Sequence, residues 1–248
     1  MTFGRIYQNP TAISSNSVKE FYEKRAKNAQ GWNAVLLKDE RQSKEDVDLR
    51  NVHEAELLKT AIADKQNLRV LDVGCGNGRW LSNLLISGVP IGHYDGIDFV
   101  ASFLEKLQAE YQNMPHIHFH EMNVCHLNAQ VLQKEYDLII TCGLFMYIND
   151  EEISSIFKTL GAHLAKGGIF YSEESVATMG KRLTLKDFYS QELKCPYNAI
   201  YRTPEEYAHW LVDEVGGQLL PGSGKMLLTK DTGAWDETNQ CCWLLKKI

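Results

Sequence analysis

The chain lacks any run of about eighteen apolar residues, so no bilayer-spanning helix is expected. Its opening residues, Met1-Thr2-Phe3-Gly4, show no secretory h-region. None of its six cysteines forms a C-x-x-C pair, which removes the common zinc and thioredoxin-type spacings. Cys241 and Cys242 are adjacent in an apolar run, where free buried thiols are expected rather than a bridge. A broad excess of positive charge is missing too. The formal net charge is −6, which argues against nucleic acid as a partner. There is no internal repeat and no low-complexity tract. These absences point to a cytoplasmic chain with no membrane partner. They leave the oligomeric state open, a homodimer included. At 248 residues and 44% hydrophobic content, the chain can bury one substantial core.

Two familiar phosphate loops are also absent. A dinucleotide fingerprint requires G-x-G-x-x-G, but Gly78 comes one residue early and Arg79 holds the third glycine's place. This excludes a nicotinamide dehydrogenase. A Walker loop fails at Gly224-Lys225, because Met226 follows and Leu219 stands where the first glycine belongs.

What is present is Val70-Leu71-Asp72-Val73-Gly74-Cys75-Gly76-Asn77-Gly78-Arg79-Trp80. It reads as a buried strand entering a glycine-dense turn and then a helix. Glycines on alternate positions let the backbone approach a ligand where a Cβ would clash. The helix beyond directs free N–H groups and its positive dipole end at the same place. The pattern hydrophobic-Leu-Asp-x-Gly-x-Gly-x-Gly resembles motif I of the class I S-adenosylmethionine (SAM)-dependent methyltransferases. The resemblance implies that the loop of Gly74, Cys75, Gly76 and Gly78 wraps the methionine part of SAM. Backbone N–H groups would meet its carboxylate. Asp72 would hold its ammonium, directly or through water.

Further motifs follow at matching distances. The strand His93–Ile97 ends at Asp98, twenty residues beyond Gly78. An acid at the end of a second Rossmann-like strand accepts hydrogen bonds from ribose hydroxyls, so Asp98 is assigned to the ribose and Phe99 to the adenine face. The third strand, His116–His120, leads to Glu121-Met122-Asn123-Val124. The family usually carries an Asp there, against the adenine amino group. Here Asn123, with Val124 beside it, takes that place, and its carbonyl can accept the same bond. His116, His118 and His120 share one strand face; they read as a half-solvated edge, and no metal is expected. The fourth strand, Tyr136–Thr141, is nearly all apolar, as a strand covered on both faces should be. It runs into Cys142-Gly143-Leu144-Phe145-Met146-Tyr147-Ile148, a segment that by resemblance passes beside the methyl group. Cys142 is assigned to the cofactor. Tyr147 is the substrate-facing candidate, with simple core packing as its alternative.

Helical periods over Val100–Tyr111 and Ile153–Leu164, the latter with Asp150 as cap, alternate with these strands. Lys166-Gly167-Gly168 is expected to end the second helix before a fifth strand, Ile169–Tyr171. Thr203-Pro204-Glu205-Glu206 is a capping box with proline at the first helical position. Gln218–Leu220 and Cys241–Leu245 read as the last strands. The implied fold is α/β, a Rossmann-like sheet of seven mostly parallel strands with helices on both faces. By resemblance its last strand is inserted antiparallel. Residues 1–67 are expected to form a helical lid, and 68–248 the SAM-binding core with a substrate-covering insertion at about 174–202.

The lid begins with a helix capped by Ser17-x-x-Glu20 and carrying Tyr22 and Arg25, which by resemblance contact the SAM carboxylate. Trp32–Leu37 follows, then a long helix from about Ser43 to Asp64 whose His53 and Glu54 face either cofactor or solvent. Glu173 and Glu174 lie near the end of strand five. Strand alternation lets one of them face the site, and Glu174 is preferred for its closeness to the loop. The segment Tyr201-Arg202-Thr203-Pro204-Glu205-Glu206-Tyr207 is similar to one in small-molecule methyltransferases of natural-product and sugar pathways. A SAM-dependent enzyme methylating an O, N or C atom of a small polar metabolite is therefore expected. Tyr147, Glu174 and His53 are the candidate bases; an amine delivered neutral needs none. An RNA or protein methyltransferase, or a SAM-binding protein without chemistry, are the alternatives.

Overall fold

A computed structural model describes residues 4–28, 44–127, 132, 135–191, 193–228 and 236–248, with backbone only at 44–50 and 53. In chain order the elements are β1 (Arg5–Tyr7), α1 (Ser15–Asn28), α2 (Lys44–Ala61), β2 (Leu68–Val73), α3 (Arg79–Ile86) and β3 (Ile91–Asp98). Then come α4 (Ala101–Glu110), β4 (Ile117–Glu121), β5 (Tyr136–Cys142), α5 (Asp150–His163) and β6 (Leu164–Ala177). The chain closes with β7 (Leu183–Ser190), β8 (Cys195–Tyr201), α6 (Pro204–Trp210), β9 (Gly217–Leu219), β10 (Lys225–Met226) and β11 (Thr238–Lys247).

The main sheet has the order β10-β11-β6-β5-β2-β3-β4, with β9 also paired to β11. The five strands β4, β3, β2, β5 and β6 are parallel. β11 enters antiparallel between β6 and the two short strands β9 and β10. This is the expected sheet, extended by the two-residue β10. Strand order reverses at β2, which pairs with β3 on one side and β5 on the other. A crevice therefore opens beyond its carboxyl end, where Gly74 begins. Val70, Leu71, Val73, Leu138, Ile139 and Ile140 are all at 0% exposure, so these strands are covered on both faces. One apolar cluster, centred on Phe157, Phe170 and Trp243, fills one face; a second, centred on Trp80, Tyr94 and Tyr171, fills the other.

Element ends differ locally from the sequence reading. α1 starts at Ser15, and Ser14 Oγ accepts the Ser17 amide at 3.2 Å, so Ser17 lies inside the helix. Asn149, not Asp150, precedes α5; Asp150 is its first residue and turns to arginines instead. Lys166-Gly167-Gly168 falls within β6, which starts immediately after α5; pairing to β5 jumps from Leu164 to Ile169 as the strand bulges. At Thr203 both arms of the capping box form.

The insertion after β6 is an antiparallel hairpin, β7 and β8, and β1 pairs along β7 to make a separate three-stranded sheet. The N-terminal segment thus contributes a strand as well as helices. Ile13, just before α1, and Val18 within it pack against Leu183, Leu185, Tyr197 and Ile200 of this sheet. α2 and the residue after it instead pack on the core through Leu58 and Ile62.

Candidate functional site

The crevice beyond β2 is one end of a cavity of about 760 Å³, within the size range of small-molecule sites. One wall is the glycine loop with the ends of β3 and β5. The opposite wall is the three-stranded cap sheet with α1, and the start of β11 borders it as well.

The loop takes its shape from its glycines. Gly74, Gly76 and Gly78 have φ of 76°, 53° and 80°, in the left-handed region that L side chains rarely adopt. A Cβ on Gly78 would also lie 2.6 Å from Leu107 Cδ2, and one on Gly74 3.1 Å from Leu144 Cδ1. At these two positions glycine serves backbone conformation and internal packing, rather than only the ligand approach inferred from sequence.

Asp98 ends β3. Its Oδ2 accepts the Gly76 amide and its Oδ1 the Val100 amide, each at 2.9 Å, so the acid fixes the loop while bordering the cavity. Burial pushes its pKa up to about 6 against those stabilising bonds. Asp72 accepts the Tyr94 hydroxyl at 2.7 Å, and burial pushes it to about 7, partly offset by Tyr94 and the charge of Arg79. Two acids held this way suit a ligand bearing hydroxyl and cationic groups, which return both to the charged form. Cys75, Phe99, Asn123, Val124 and Cys142 also line the cavity. Asn123 Oδ1 already accepts the Cys125 amide at 3.0 Å, which caps a short helical turn and leaves one lone pair for adenine.

Arg79, useful to the sequence reading only as a misplaced residue, is at 6% exposure and borders the cavity. Its guanidinium meets Glu54 at 2.7 Å, Asn51 at 3.0 Å, Cys142 Sγ at 2.9 Å and Glu173 at 3.6 Å. Glu54 therefore faces inward and ties α2 to the start of α3. His53, its neighbour, has its side chain outside the described residues. Trp32–Leu37 also lies outside them.

Tyr147 sits on a short helical turn, Phe145–Tyr147, that is clamped from two sides. Glu174 accepts the amides of Leu144 at 3.1 Å and Met146 at 3.4 Å. Arg202, fully buried, donates to the carbonyls of Phe145 at 2.8 Å and Ile148 at 2.7 Å, and pairs with Asp150. Glu174 is thus committed to the turn, and burial raises its pKa to about 8. Glu173 and Glu174 both border the cavity, because it lies across the end of β6 and not on one face of it. The Tyr147 hydroxyl bonds to those of Tyr22 at 2.8 Å and Tyr197 at 2.7 Å. Burial raises the Tyr147 phenol well above its ordinary range, so it is a hydrogen-bonding group and not a ready base. Tyr22 reaches the cavity as expected; Arg25 lies over the Phe21 ring and is not among the lining residues. Arg202 and Tyr197 were not singled out from sequence; the turn residues they hold lie about fifty positions away.

His120 and His93 each meet an oxygen of Asp95 at 2.7 Å, which accounts for that strand edge. Among the described residues no His, Cys, Asp and Glu cluster suited to a metal occurs, and no helix is long and apolar enough to cross a membrane.

Residues 70–168 match a family model described as a methyltransferase domain. The chain is 28% identical over 113 residues to the malonyl-[acyl-carrier protein] O-methyltransferase of Bacillus cereus, covering 46% of this chain and 39% of that protein. It is 26% identical over 186 residues to phosphoethanolamine N-methyltransferase 1 of Zea mays, covering 72% and 34% respectively. The chain thus spans little more than a third of the length of these relatives. Among solved structures, Haemonchus contortus phosphoethanolamine N-methyltransferase 1, in complex with phosphoethanolamine and S-adenosylhomocysteine, shares the fold. Its TM-score is 0.66 at 23% identity, over 94% of this chain and 49% of that one.

Proposed function

We propose that this chain, which belongs to the class I SAM-dependent methyltransferases, moves a methyl group from SAM to an O, N or C atom of a small molecule. The observation that carries this reading is the single cavity running from the Asp72–Gly78 loop and Asp98 to the cap of α1, β7 and β8. Its cofactor end offers the Asp98 carboxylate to the ribose, Phe99 and Asn123 to the adenine, and Asp72 with the loop amides to the methionine tail. Bound there, SAM supplies an electrophilic methyl carbon. The chain's own contribution is placement. Tyr147, with Tyr22 and Tyr197, forms a hydroxyl cluster bordering the same cavity, and the Glu174–Arg202 clamp fixes Tyr147 in position. Positioning of this kind lowers a barrier by roughly 7–11 kcal/mol at best. The cover that excludes water is the sheet of β1, β7 and β8 together with α1. The concave shape and the acidic, aromatic lining favour a small molecule over RNA or a folded protein.

The test is incubation of a metabolite extract with labelled SAM. A small-molecule product gaining one methyl group supports the reading. Binding of S-adenosylhomocysteine without any labelled product, across broad extracts, would leave a cofactor-binding protein without this chemistry.

A further inference from the structure

The substrate end of the cavity has an unusual make-up. Five aromatic side chains border it: Tyr22, Tyr147, Phe188, Tyr197 and Tyr201. Tyr22 and Tyr147 stand edge to face with ring centroids 5.4 Å apart, and Tyr147 and Tyr197 do so at 6.3 Å. Their hydroxyls are joined in a chain, Tyr22 to Tyr147 at 2.8 Å and Tyr147 to Tyr197 at 2.7 Å, so the three rings form one cluster at this end. Around them the wall is apolar, with Val18, Met146, Leu183, Leu185 and Leu193.

The charges point the same way. Among the described residues the wall carries five carboxylates (Asp72, Asp98, Glu173, Glu174 and Glu237) and two cations, Arg5 and Arg79. Both cations are already engaged. Arg5 is paired with Glu237, whose carboxylate also accepts the Tyr7 hydroxyl at 2.7 Å. Arg79 is held between Glu54 and Glu173. A phosphate or carboxylate on the substrate would have to break one of these pairs and then face the remaining acids. A cation breaks no such pair, since both lining cations are already neutralised by Glu237, Glu54 and Glu173, and aromatic rings attract it.

Resting on the methyl-transfer reading above, we infer that the acceptor is an amine nitrogen, carried on a largely apolar body without a phosphate, and seated in the Tyr22–Tyr147–Tyr197 cage. The substrate ammonium first gives one proton to water. The nitrogen lone pair then forms the new N–C bond as the C–S bond breaks, and that bond's electron pair stays on sulfur. The product is an N-methylated ammonium, which the same ring faces accommodate. No protein base is required, in keeping with three phenols hydrogen-bonded to one another and a Glu174 committed to backbone amides.

Two measurements test this. In the first, the protein turns over a cell extract with SAM labelled with 13C in its methyl group, and NMR identifies the atom bonded to the label. A label on nitrogen in an unphosphorylated base is expected. A label on oxygen or carbon, or on a phosphorylated amine, overturns the inference while leaving methyl transfer intact. If no labelled product forms, it is the methyl-transfer reading that falls. The second measurement probes the cage without turnover. Protein loaded with S-adenosylhomocysteine is titrated with choline and with its uncharged carbon isostere, 3,3-dimethylbutanol. Choline should bind about tenfold more tightly. That ratio should shrink toward one in Tyr197→Leu and in Tyr147→Leu, each checked for retained S-adenosylhomocysteine binding. Equal affinity for the two probes in the unmodified protein overturns the cage, whatever the turnover result.

Discussion

The two walls of the cavity are held by different kinds of contact. On the cofactor wall the key bonds join residues close in sequence: Gly76 to Asp98 and Tyr94 to Asp72 each span 22 positions. On the cap wall Tyr22 meets Tyr147 across 125 positions, and Tyr7 meets Glu237 across 230. The first wall is one strand–loop–helix–strand unit, whose geometry follows from local chemistry. The second is assembled by tertiary packing from the N-terminal segment, the hairpin and the start of β11. The difference leads to the expectation that mutations on the two walls act separately.

The largest expected effect lies on the cap wall. Arg202→Met removes the buried guanidinium that holds two carbonyls and Asp150. Asp150 keeps Arg182, but two buried carbonyls lose their donor, at a cost of roughly 3 kcal/mol together, read as a lower denaturant midpoint. A change below about 0.5 kcal/mol, the range of ordinary surface substitutions, would remove the clamp from the account.

Next is Gly78→Ala, on the cofactor wall. The residue sits at φ 80°, and the added methyl group meets Leu107. A loss of about 2 kcal/mol is expected from strain and crowding, with weaker S-adenosylhomocysteine binding measured by calorimetry. Unchanged affinity would show that the loop conformation is not what holds the cofactor.

Tyr147→Phe should lower turnover by about tenfold, the worth of one well-placed hydrogen bond. It should leave S-adenosylhomocysteine affinity untouched. A loss of cofactor affinity instead would join the two walls that the comparison separates.

A pH slope gives the last comparison. Glu174 is pushed from an ordinary 4.5 up to about 8 in the folded chain by burial. The fold favours its protonated form, so this contribution is complete below 4.5 and is lost as pH rises through about 8. Glu174→Gln removes that loss. Urea midpoints at pH about 5 and about 8 should show the unmodified protein losing ground to the variant at the higher pH. Parallel behaviour of the two would mean Glu174 keeps an ordinary titration.

Sequence reasoning reached the first wall well and the second poorly, for the same physical reason. Asp72, the three glycines and Asp98 lie where period, spacing and glycine chemistry place them. Arg79 was visible only as a failed glycine, because nothing local shows that α2 brings Glu54 to its guanidinium. Strand alternation suggested one inward-facing acid of Glu173 and Glu174, but a cavity across a strand end meets both. The β1–β7 pairing was not legible, since a three-residue strand at Arg5–Tyr7 has no period of its own. Arg202 stood inside a resembled segment, yet its role depends on the carbonyls of a turn 54 to 57 positions away.

The separation of the walls is tested most directly by calorimetric titration of S-adenosylhomocysteine into the unmodified protein, Asp98→Ala and Tyr147→Phe. Asp98→Ala should lose affinity by on the order of 100-fold, since it removes a charged acceptor from both loop and ribose. Tyr147→Phe should match the unmodified protein. Unmodified affinity in Asp98→Ala, or a comparable loss in both variants, would contradict the account.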